Sequence, residues 1–370
     1  MARELLLASM DLLEQIIRDV DITPTQFKNA ERAYKSVGEW LNVDDSPLHP
    51  FSPEVFPQGS MRLGTVVKPR PEKDEFDVDL VCDLEGGTGL TRQMLREIVG
   101  DRLKDNKAYK DNVEPKHRCW RLNYADSAQF HLDIVPAIPD TATRMAPGEK
   151  VIGPNSILIT DDRIPDWLHS NPKGYAEWFE GQMAMLLEEI RKSLKLASVK
   201  DIPYYERKTP LQKAIQVLKR HRDEKFGNND KKPTSIIITT LAAQAYQGES
   251  DLFAALDTIV NHLEDNIRNE YGRAAVRNPA NWQENFADKW AHDPVLVKNF
   301  WDWLGDAKQF VRSLSSYDRP QQLMEQFEKS FGARLTKSAA ASAVPEVFKS
   351  VTSGTPTIAI GTSAPRPWGQ

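Results

Sequence analysis

The chain has few of the features that mark secreted, zinc-scaffold and membrane proteins. It has only two cysteines, Cys82 and Cys119, in 370 residues, which is too few for a disulfide framework or a Cys-rich zinc site. No stretch approaches the roughly 20 consecutive apolar residues that a membrane helix requires. Acidic residues interrupt the apolar N-terminus, so no signal peptide is expected. These absences predict a cytoplasmic protein with no membrane partner.

An excess of positive charge is also missing. The chain has 48 Lys and Arg against 53 Asp and Glu, and its formal net charge is -5. Proteins that bind long nucleic acids usually present a basic surface, so no stable nucleic-acid partner is expected. A content of 40% hydrophobic and 27% charged residues is that of an ordinary globular protein. The length is sufficient for two packed lobes.

The spacing of apolar residues divides the chain into two parts. Alternation predicts strands over 76–84, 116–124 and 130–138, and a three- and four-residue spacing predicts helices over 175–196, 210–225, 234–246 and 252–268. The residues 23–26, TPTQ, predict a capping box at a helix start, with Pro in the first turn. From about Gly332 the chain becomes rich in Ala, Ser, Thr, Pro and Gly, which predicts a flexible tail.

The chemistry lies with two acids in the first predicted strand. Asp77 and Asp79 are two residues apart, so they point to the same face, roughly 7 Å from each other along the backbone. Carboxylates this close repel each other, and a divalent cation such as Mg²⁺ relieves the repulsion. Gly59 and Ser60 lie upstream and offer N–H groups and a hydroxyl to a phosphate. Downstream, Asp133 is an acid within an otherwise apolar strand.

Each of these features has an ordinary structural interpretation when it stands alone. An isolated Asp-x-Asp pair is more often the solvated face of an edge strand, and a lone strand acid is more often a solvent-facing residue. The combination in this order is more specific and favours a metal-dependent nucleotidyltransferase. His117, Cys119 and His131 lack the paired-cysteine spacing of zinc sites, so no zinc is expected.

The order of three segments resembles a known family. Residues 58–65 (QGSMRLGT), 74–81 (DEFDVDLV) and 131–136 (HLDIVP) resemble the signature of the bacterial cGAS/DncV-like nucleotidyltransferases, or CD-NTases, of CBASS anti-phage systems. The resemblance spans roughly residues 1 to 330. It implies an α+β, two-lobed, polymerase β-like fold with a mixed-sheet catalytic lobe and a helical second lobe. We place the catalytic core with its N-terminal helices at 1–200, the helical nucleotide-binding lobe at 201–331 and the flexible tail at 332–370.

The resemblance also implies roles for individual residues. Two Mg²⁺ ions, with Mn²⁺ as an alternative, would be held by the catalytic acids Asp77, Asp79 and Asp133, the last of which would help to deprotonate the attacking hydroxyl. Nucleotide binding would fall to Gln58, Gly59, Ser60, Lys219 and Ser235. Many relatives have an aromatic residue after that serine, whereas this chain has Ile236. Lys219, Arg220 and Arg222 on the helix 210–225 have a solvated helix face as their alternative interpretation, which we favour for the two arginines.

The expected activity is the synthesis of a cyclic di- or trinucleotide messenger from nucleoside triphosphates. ATP and GTP are the expected substrates, with a cyclic GMP–AMP type product and release of pyrophosphate. The resemblance further implies an effector protein, encoded nearby, that senses the product, and a ligase or regulator that acts on the C-terminal tail. Two alternatives remain open: a template-independent RNA or tRNA nucleotidyltransferase, and a catalytically silent nucleotide-binding protein.

Overall fold

The computed structural model describes residues 2–69, 75–124, 130–144, 155–196, 198, 207–316 and 319–343. Within these ranges the chain forms an α+β fold, with one mixed sheet in the first half and a helical lobe built mainly from the second half, as the sequence predicted. No helix in the described ranges is both long enough and apolar enough to cross a membrane.

A mixed sheet forms the first lobe. Its main strand order is β1-β2-β5-β4-β3, and two short strands extend it from the end of β5 through β6 to β7. Only β2 and β5 pair in parallel; the other pairs of the described sheet are antiparallel. The strands are β1 (Pro53–Pro57), β2 (Phe76–Leu84), β3 (Val113–Pro115), β4 (Trp120–Asn123), β5 (Phe130–Pro139), β6 (Ile157–Ile159) and β7 (Leu168–Ser170).

Helices cover the sheet on one side. Apolar residues of α2 (Pro24–Asn42) and α4 (Arg92–Asp105) share a core with the inward side chains of β2, β4 and β5. The predicted capping box of α2 is present: the Thr23 hydroxyl accepts from the backbone N–H of Gln26, and the Gln26 side chain accepts from the N–H of Thr23. Two short helices, α3 (Gly59–Leu63) and α5 (Thr141–Arg144), follow β1 and β5.

The second lobe is a bundle of helices with a single apolar core. It contains α1 (Ala2–Val20), α6 (Pro172–Gly181), α7 (Ala184–Ser193), α8 (Pro210–Phe226), α9 (Ser235–Ala245), α10 (Leu252–His262), α11 (Pro294–Ser313), α12 (Pro320–Phe331) and α13 (Ala333–Ala343). Two hairpins lie between α10 and α11: β8 (Arg268–Glu270) with β9 (Arg273–Ala275), and β10 (Arg277–Asn278) with β11 (Asn281–Asn285). Because α1, α6 and α7 share this core, the chain enters the helical lobe both before and after the sheet, which differs from the predicted single division at residue 200.

Several predicted boundaries shift in the structure. The expected strand 116–124 is shortened to β4, since residues 117–119 form a bend instead. The expected helix 175–196 is two helices, α6 and α7, and the expected helix 252–268 ends at His262. The strand 76–84 and the start of the helix at Pro210 are as predicted.

The predicted flexible tail, residues 332–370, includes a helix at its start. Residues Ala333–Ala343 form α13, which packs along α1 and α12. Composition misled here, because alanine and small polar residues allow a helix to approach its neighbours closely, and Thr336, Ala339 and Ala340 are fully buried. The rest of the predicted tail, residues 344–370, lies outside the described residues.

Replacing the buried Ala340 by Asp tests whether α13 belongs to the folded lobe. An unpaired carboxylate against α1 is costly to bury, so we expect the free energy of unfolding to fall by about 2–3 kcal/mol. Ser338→Asp is the matched control, since Ser338 is exposed on the same helix. Denaturant melts of both variants give the comparison. Equal stability of the two variants would contradict the packing of α13.

Candidate active site

The parallel pairing of β2 with β5 brings four polar side chains together. In this register Asp77 lies beside His131, and Asp79 lies beside Asp133. Residues two apart on a strand share a face, so all four point to the same side of the sheet. The acids that the sequence predicted as a set therefore meet, and His131 joins them.

A network of hydrogen bonds links these side chains. His131 Nε2 is hydrogen-bonded to Asp77 Oδ1. From the neighbouring strand β4, Arg121 donates to both carboxylate oxygens of Asp133, from Nε to Oδ1 and from Nη2 to Oδ2, each at 2.7 Å. The same Nη2 lies 3.5 Å from Asp77 Oδ1. Two cationic or potentially cationic side chains thus contact the outer acids Asp77 and Asp133.

The charges of the acids shift the protonation of their neighbours. Burial, together with the negative charges of Asp77 and Asp133, raises the pKa of the Asp79 carboxyl to about 7. Burial on its own would lower the pKa of His131, but the hydrogen bond and charge of Asp77 outweigh it, so the net pKa is raised. For Asp79 burial and the neighbouring negative charges act in the same direction, whereas for His131 the negative charge of Asp77 acts against burial.

Gly59 fits closely against Asp79. Its φ of +61° lies in the left-handed region, and a Cβ at this position would be 2.6 Å from Asp79 Oδ2. Both the backbone conformation and the contact therefore require glycine. The preceding Gln58 donates its backbone N–H to the carbonyl of Asp79 at 2.8 Å. These contacts hold the start of α3, with Ser60, directly beside the acids.

Side chains of α8 hold the segment that follows α3. Gln212, Gln216 and Lys219 lie at four- and three-residue spacing, so they share one face of the helix. They donate hydrogen bonds to the backbone carbonyls of Leu63 (2.9 Å), Val66 (2.6 Å) and Thr65 (3.1 Å), respectively. Lys219 also donates to the Thr65 hydroxyl at 3.0 Å. The two lobes are thus joined beside the acids by direct hydrogen bonds to the main chain.

The basic residues of α8 are not on a solvated face. Arg220 and Arg222 are both buried, so our preferred interpretation of these two positions was wrong. α8 runs through the centre of the helical lobe and is surrounded by α1, α9, α10, α11 and α12, which leaves no solvent-facing side in its middle turns. Burial and the nearby charge of Arg222 lower the pKa of Lys219 to about 7. Arg222 Nη1 donates to the Ser235 hydroxyl at 2.8 Å.

A cavity of about 920 Å³ lies between the two lobes. The sheet contributes two of the acids to its wall, and α8 and α9 contribute basic, hydroxyl and aliphatic groups, among them Ile236. Six of the predicted site residues line it: Gly59, Ser60, Asp77, Asp79, Lys219 and Ser235. Gln58 and Asp133 are not among the described residues that line it, whereas Arg121, which covers Asp133, is.

Comparisons with known proteins match this arrangement. The domain family described as Second Messenger Oligonucleotide or Dinucleotide Synthetase matches residues 8–182. A c-di-GMP synthase from Roseivirga ehrenbergii is 35% identical over 300 residues, which cover 78% of this chain and 75% of the relative. The cyclic dinucleotide synthase CdnG from Bradyrhizobium diazoefficiens is 26% identical over 301 residues, 75% of this chain and 69% of the relative.

The fold agrees with these sequence matches. The structure of Bradyrhizobium diazoefficiens CdnG in complex with GTP aligns over 90% of this chain and 98% of that chain, with a TM-score of 0.70 and 22% sequence identity. The chain is a CD-NTase. It is a nucleotidyltransferase of the cyclic-nucleotide synthase type.

The acids of this CD-NTase suit a hard divalent cation. One oxygen each of Asp77 and Asp133 and one nitrogen of His131 lie within 4.8 Å of one another. Carboxylate oxygens are the donors that Mg²⁺ prefers, and Asp79 lies on the same sheet face beside Asp133. A second group with similar spacing is His117, Asp161 and Asp162. Two arginines, Arg118 and Arg163, bind its Asp161 carboxylate, whereas one arginine, Arg121, binds Asp133.

Sequence reasoning missed two members of the CD-NTase site. His131 carried a readable signal, since it lies two residues before Asp133 and so shares its face. Arg121 carried none, because its contact with Asp133 depends on the antiparallel register of β4 with β5, which places the two residues opposite each other.

The fit of Gly59 against Asp79 gives a direct test. In a Gly59→Ala variant the added methyl group must displace the Asp79 carboxylate or the start of α3. A misplacement of about 1 Å in an active site costs about 10²-fold in rate, so we expect a loss of that size in nucleotidyl transfer with the fold retained. Gly89→Ala is the control, since a methyl group added at Gly89 would meet no atom of the described residues within 4 Å. Nearly full activity of Gly59→Ala would show that the close contact is unimportant.

Proposed function

We propose that this CD-NTase joins two nucleoside triphosphates into a cyclic dinucleotide within the cavity between its lobes. The observation that carries the proposal is the meeting of Asp77, Asp79 and Asp133 on one sheet face beside Gly59 and Ser60. An acidic cluster with a glycine-serine turn next to it can hold the reacting phosphate and its counter-ions together, and such positioning supplies most of the catalysis in phosphoryl transfer.

The reaction proceeds by attack of a ribose hydroxyl on an α-phosphorus. A new P–O bond forms, the bond between the α-phosphorus and its bridging oxygen breaks, and pyrophosphate leaves. Asp133 takes the proton of the attacking hydroxyl. A second attack of the same kind closes the ring. Mg²⁺, held by Asp77, Asp79 and Asp133, would supply charge neutralisation and Lewis-acid activation.

The remaining predicted residues hold the triphosphate. Gly59 and Ser60 bind the β- and γ-phosphates from the side of the sheet, and Lys219 and Ser235 bind from α8 and α9. Arg222 supports this arrangement, because it lines the cavity together with Ser235 and donates a hydrogen bond to the Ser235 hydroxyl. The lowered pKa of Lys219 would rise again beside a bound phosphate, since an opposite charge favours the protonated form.

GTP is our first choice of substrate, and cyclic di-GMP our first choice of product. The proposal of two guanylates is supported by the names of the relatives, a c-di-GMP synthase and a CdnG structure with GTP bound. A cyclic GMP–AMP type product, which the sequence resemblance favoured, is the second candidate. The base would lie against an aliphatic wall that includes Ile236 and Val67, which gives a contact surface without an aromatic stack.

A role in anti-phage signalling accompanies this proposal. It includes a product-sensing effector protein and a ligase or regulator that acts on the C-terminal residues. These partners follow from the family resemblance, and residues 344–370 lie outside the described residues.

The assay offers GTP alone, ATP alone and both together, with Mg²⁺ and no RNA. We expect a phosphatase-resistant product from GTP alone, identified as cyclic di-GMP by mass spectrometry and nuclease digestion. A product that requires both nucleotides would point to the cyclic GMP–AMP type. Extension of an added RNA at its 3′ end, with no small product, would overturn the proposal.

Replacing one of the proposed catalytic acids tests their role, with replacement of an exposed acid of the same lobe as the control. We expect Asp77→Asn to lower synthesis by about 10²-fold or more, since metal ions contribute several kcal/mol of charge stabilisation in such reactions. Asp101→Asn is the control, because Asp101 is an exposed acid on α4 of the same lobe. Full turnover of Asp77→Asn would exclude the proposed role of the acids.

A further inference from the structure

Arg121 contacts two acids of the cluster. Its guanidinium makes two parallel 2.7 Å hydrogen bonds to Asp133 and lies 3.5 Å from Asp77. Such a bidentate pair is among the stronger hydrogen-bonded contacts in proteins. A guanidinium is not deprotonated in proteins, so Arg121 keeps its charge throughout the ordinary pH range.

The position of Arg121 matters as much as its charge. Arg121 lines the cavity between the lobes, and Asp133 does not. The Asp133 side chain is 14% exposed, against 26% for Arg121. Both Asp133 oxygens accept hydrogen bonds from the guanidinium. A cation that enters from the cavity therefore meets a positive group before it reaches the third acid.

Within the described part of the chain, cationic side chains contact the two outer acids rather than the middle one. Arg121 donates hydrogen bonds to Asp133. His131 is hydrogen-bonded to Asp77, which also lies 3.5 Å from Arg121 Nη2. Asp79 lies between them and is next to Gly59.

We propose that Arg121 is a displaceable counter-ion that occupies the Asp133 end of the metal site until a divalent cation and nucleotide arrive. The inference rests on the proposed metal role of the acids. Both oxygens of Asp133 accept hydrogen bonds from Arg121, a two-pronged contact that we call the fork. Coordination of a metal by Asp133 therefore requires the guanidinium to move away. The freed guanidinium already lines the cavity, where the phosphates of a nucleoside triphosphate offer it a new anionic partner.

This arrangement couples metal binding to nucleotide binding. A metal alone must break the two hydrogen bonds with no compensation for Arg121. When the metal arrives with a nucleoside triphosphate, the phosphates replace Asp133 as the anionic partner of Arg121. The nucleotide-free enzyme therefore has a low affinity for free divalent cations. Arg121 acts as a positioning residue that favours binding of a metal–nucleotide complex over binding of the metal alone.

The test measures Mn²⁺ binding to the full-length, metal-free protein in the absence of nucleotide, by electron paramagnetic resonance or calorimetry. We expect Arg121→Met to bind Mn²⁺ more tightly than the unmodified protein, on the order of tenfold, because a charge-assisted pair no longer competes. Lys116→Met removes the same charge from an exposed pair with Glu114 in the same lobe, and we expect its affinity to be close to that of the unmodified protein. An unchanged or weaker affinity of Arg121→Met, or an equal gain in Lys116→Met, would overturn the proposal.

Thermal melts give an independent readout. Without metal, Arg121→Met should melt at a lower temperature, because Asp133 and Asp77 lose a counter-charge, and Mn²⁺ should raise its melting temperature by more than that of the unmodified protein. Arg121→Lys, which keeps the charge but not the fork, should fall between the two. An equal Mn²⁺-induced shift in all three proteins contradicts the inference.

One further variant separates this inference from the proposed function. If Asp79→Asn abolishes Mn²⁺ binding and Arg121→Met leaves it unchanged, only the displacement of Arg121 is wrong. If Asp79→Asn binds Mn²⁺ as well as the unmodified protein, the metal lies elsewhere and the proposed role of the acids fails with it.

Discussion

The parallel pairing of β2 with β5 is the constraint on which the site depends. Its hydrogen bonds fix Asp79 beside Asp133 and Asp77 beside His131, whatever the electrostatic cost. The apolar residues between the acids, Val78 and Leu132, are fully buried. Together with the backbone hydrogen bonds they hold this register. The acids cannot move apart without shifting a strand. A cation bound between them would therefore relieve their mutual repulsion.

The second lobe forms the other wall of the cavity that two of the acids line. The helix α8 donates side-chain hydrogen bonds to the main chain of residues 63–66, immediately after the Gly59–Ser60 turn. One element thus positions Lys219 in the cavity and at the same time fixes the turn that contacts Asp79. Because the same helix lies at the centre of the bundle, its position depends on the packing of the whole helical lobe.

Local patterns predicted the part of the site that one strand determines. Asp77 and Asp79 follow from alternation, and the family resemblance added Asp133 as the third acid. Arg121 could not be predicted, because its partner is set by the register of β4. The burial of Arg222 was also out of reach, since a helix with polar and apolar residues on all sides resembles a half-solvated one until its neighbours are known. Helix α13 was missed because its small residues resemble a linker in composition.

We propose that the sheet holds three carboxylates as one cation-binding cluster. The most direct measurement is a crystal structure with Mn²⁺ and a non-hydrolysable GTP analogue, in which anomalous scattering locates the metal. We expect Mn²⁺ between Asp77, Asp79 and Asp133, with the Arg121 guanidinium turned from Asp133 towards the nucleotide. Mn²⁺ bound only outside this cluster, with the Arg121–Asp133 pair intact beside a bound nucleotide, would contradict it.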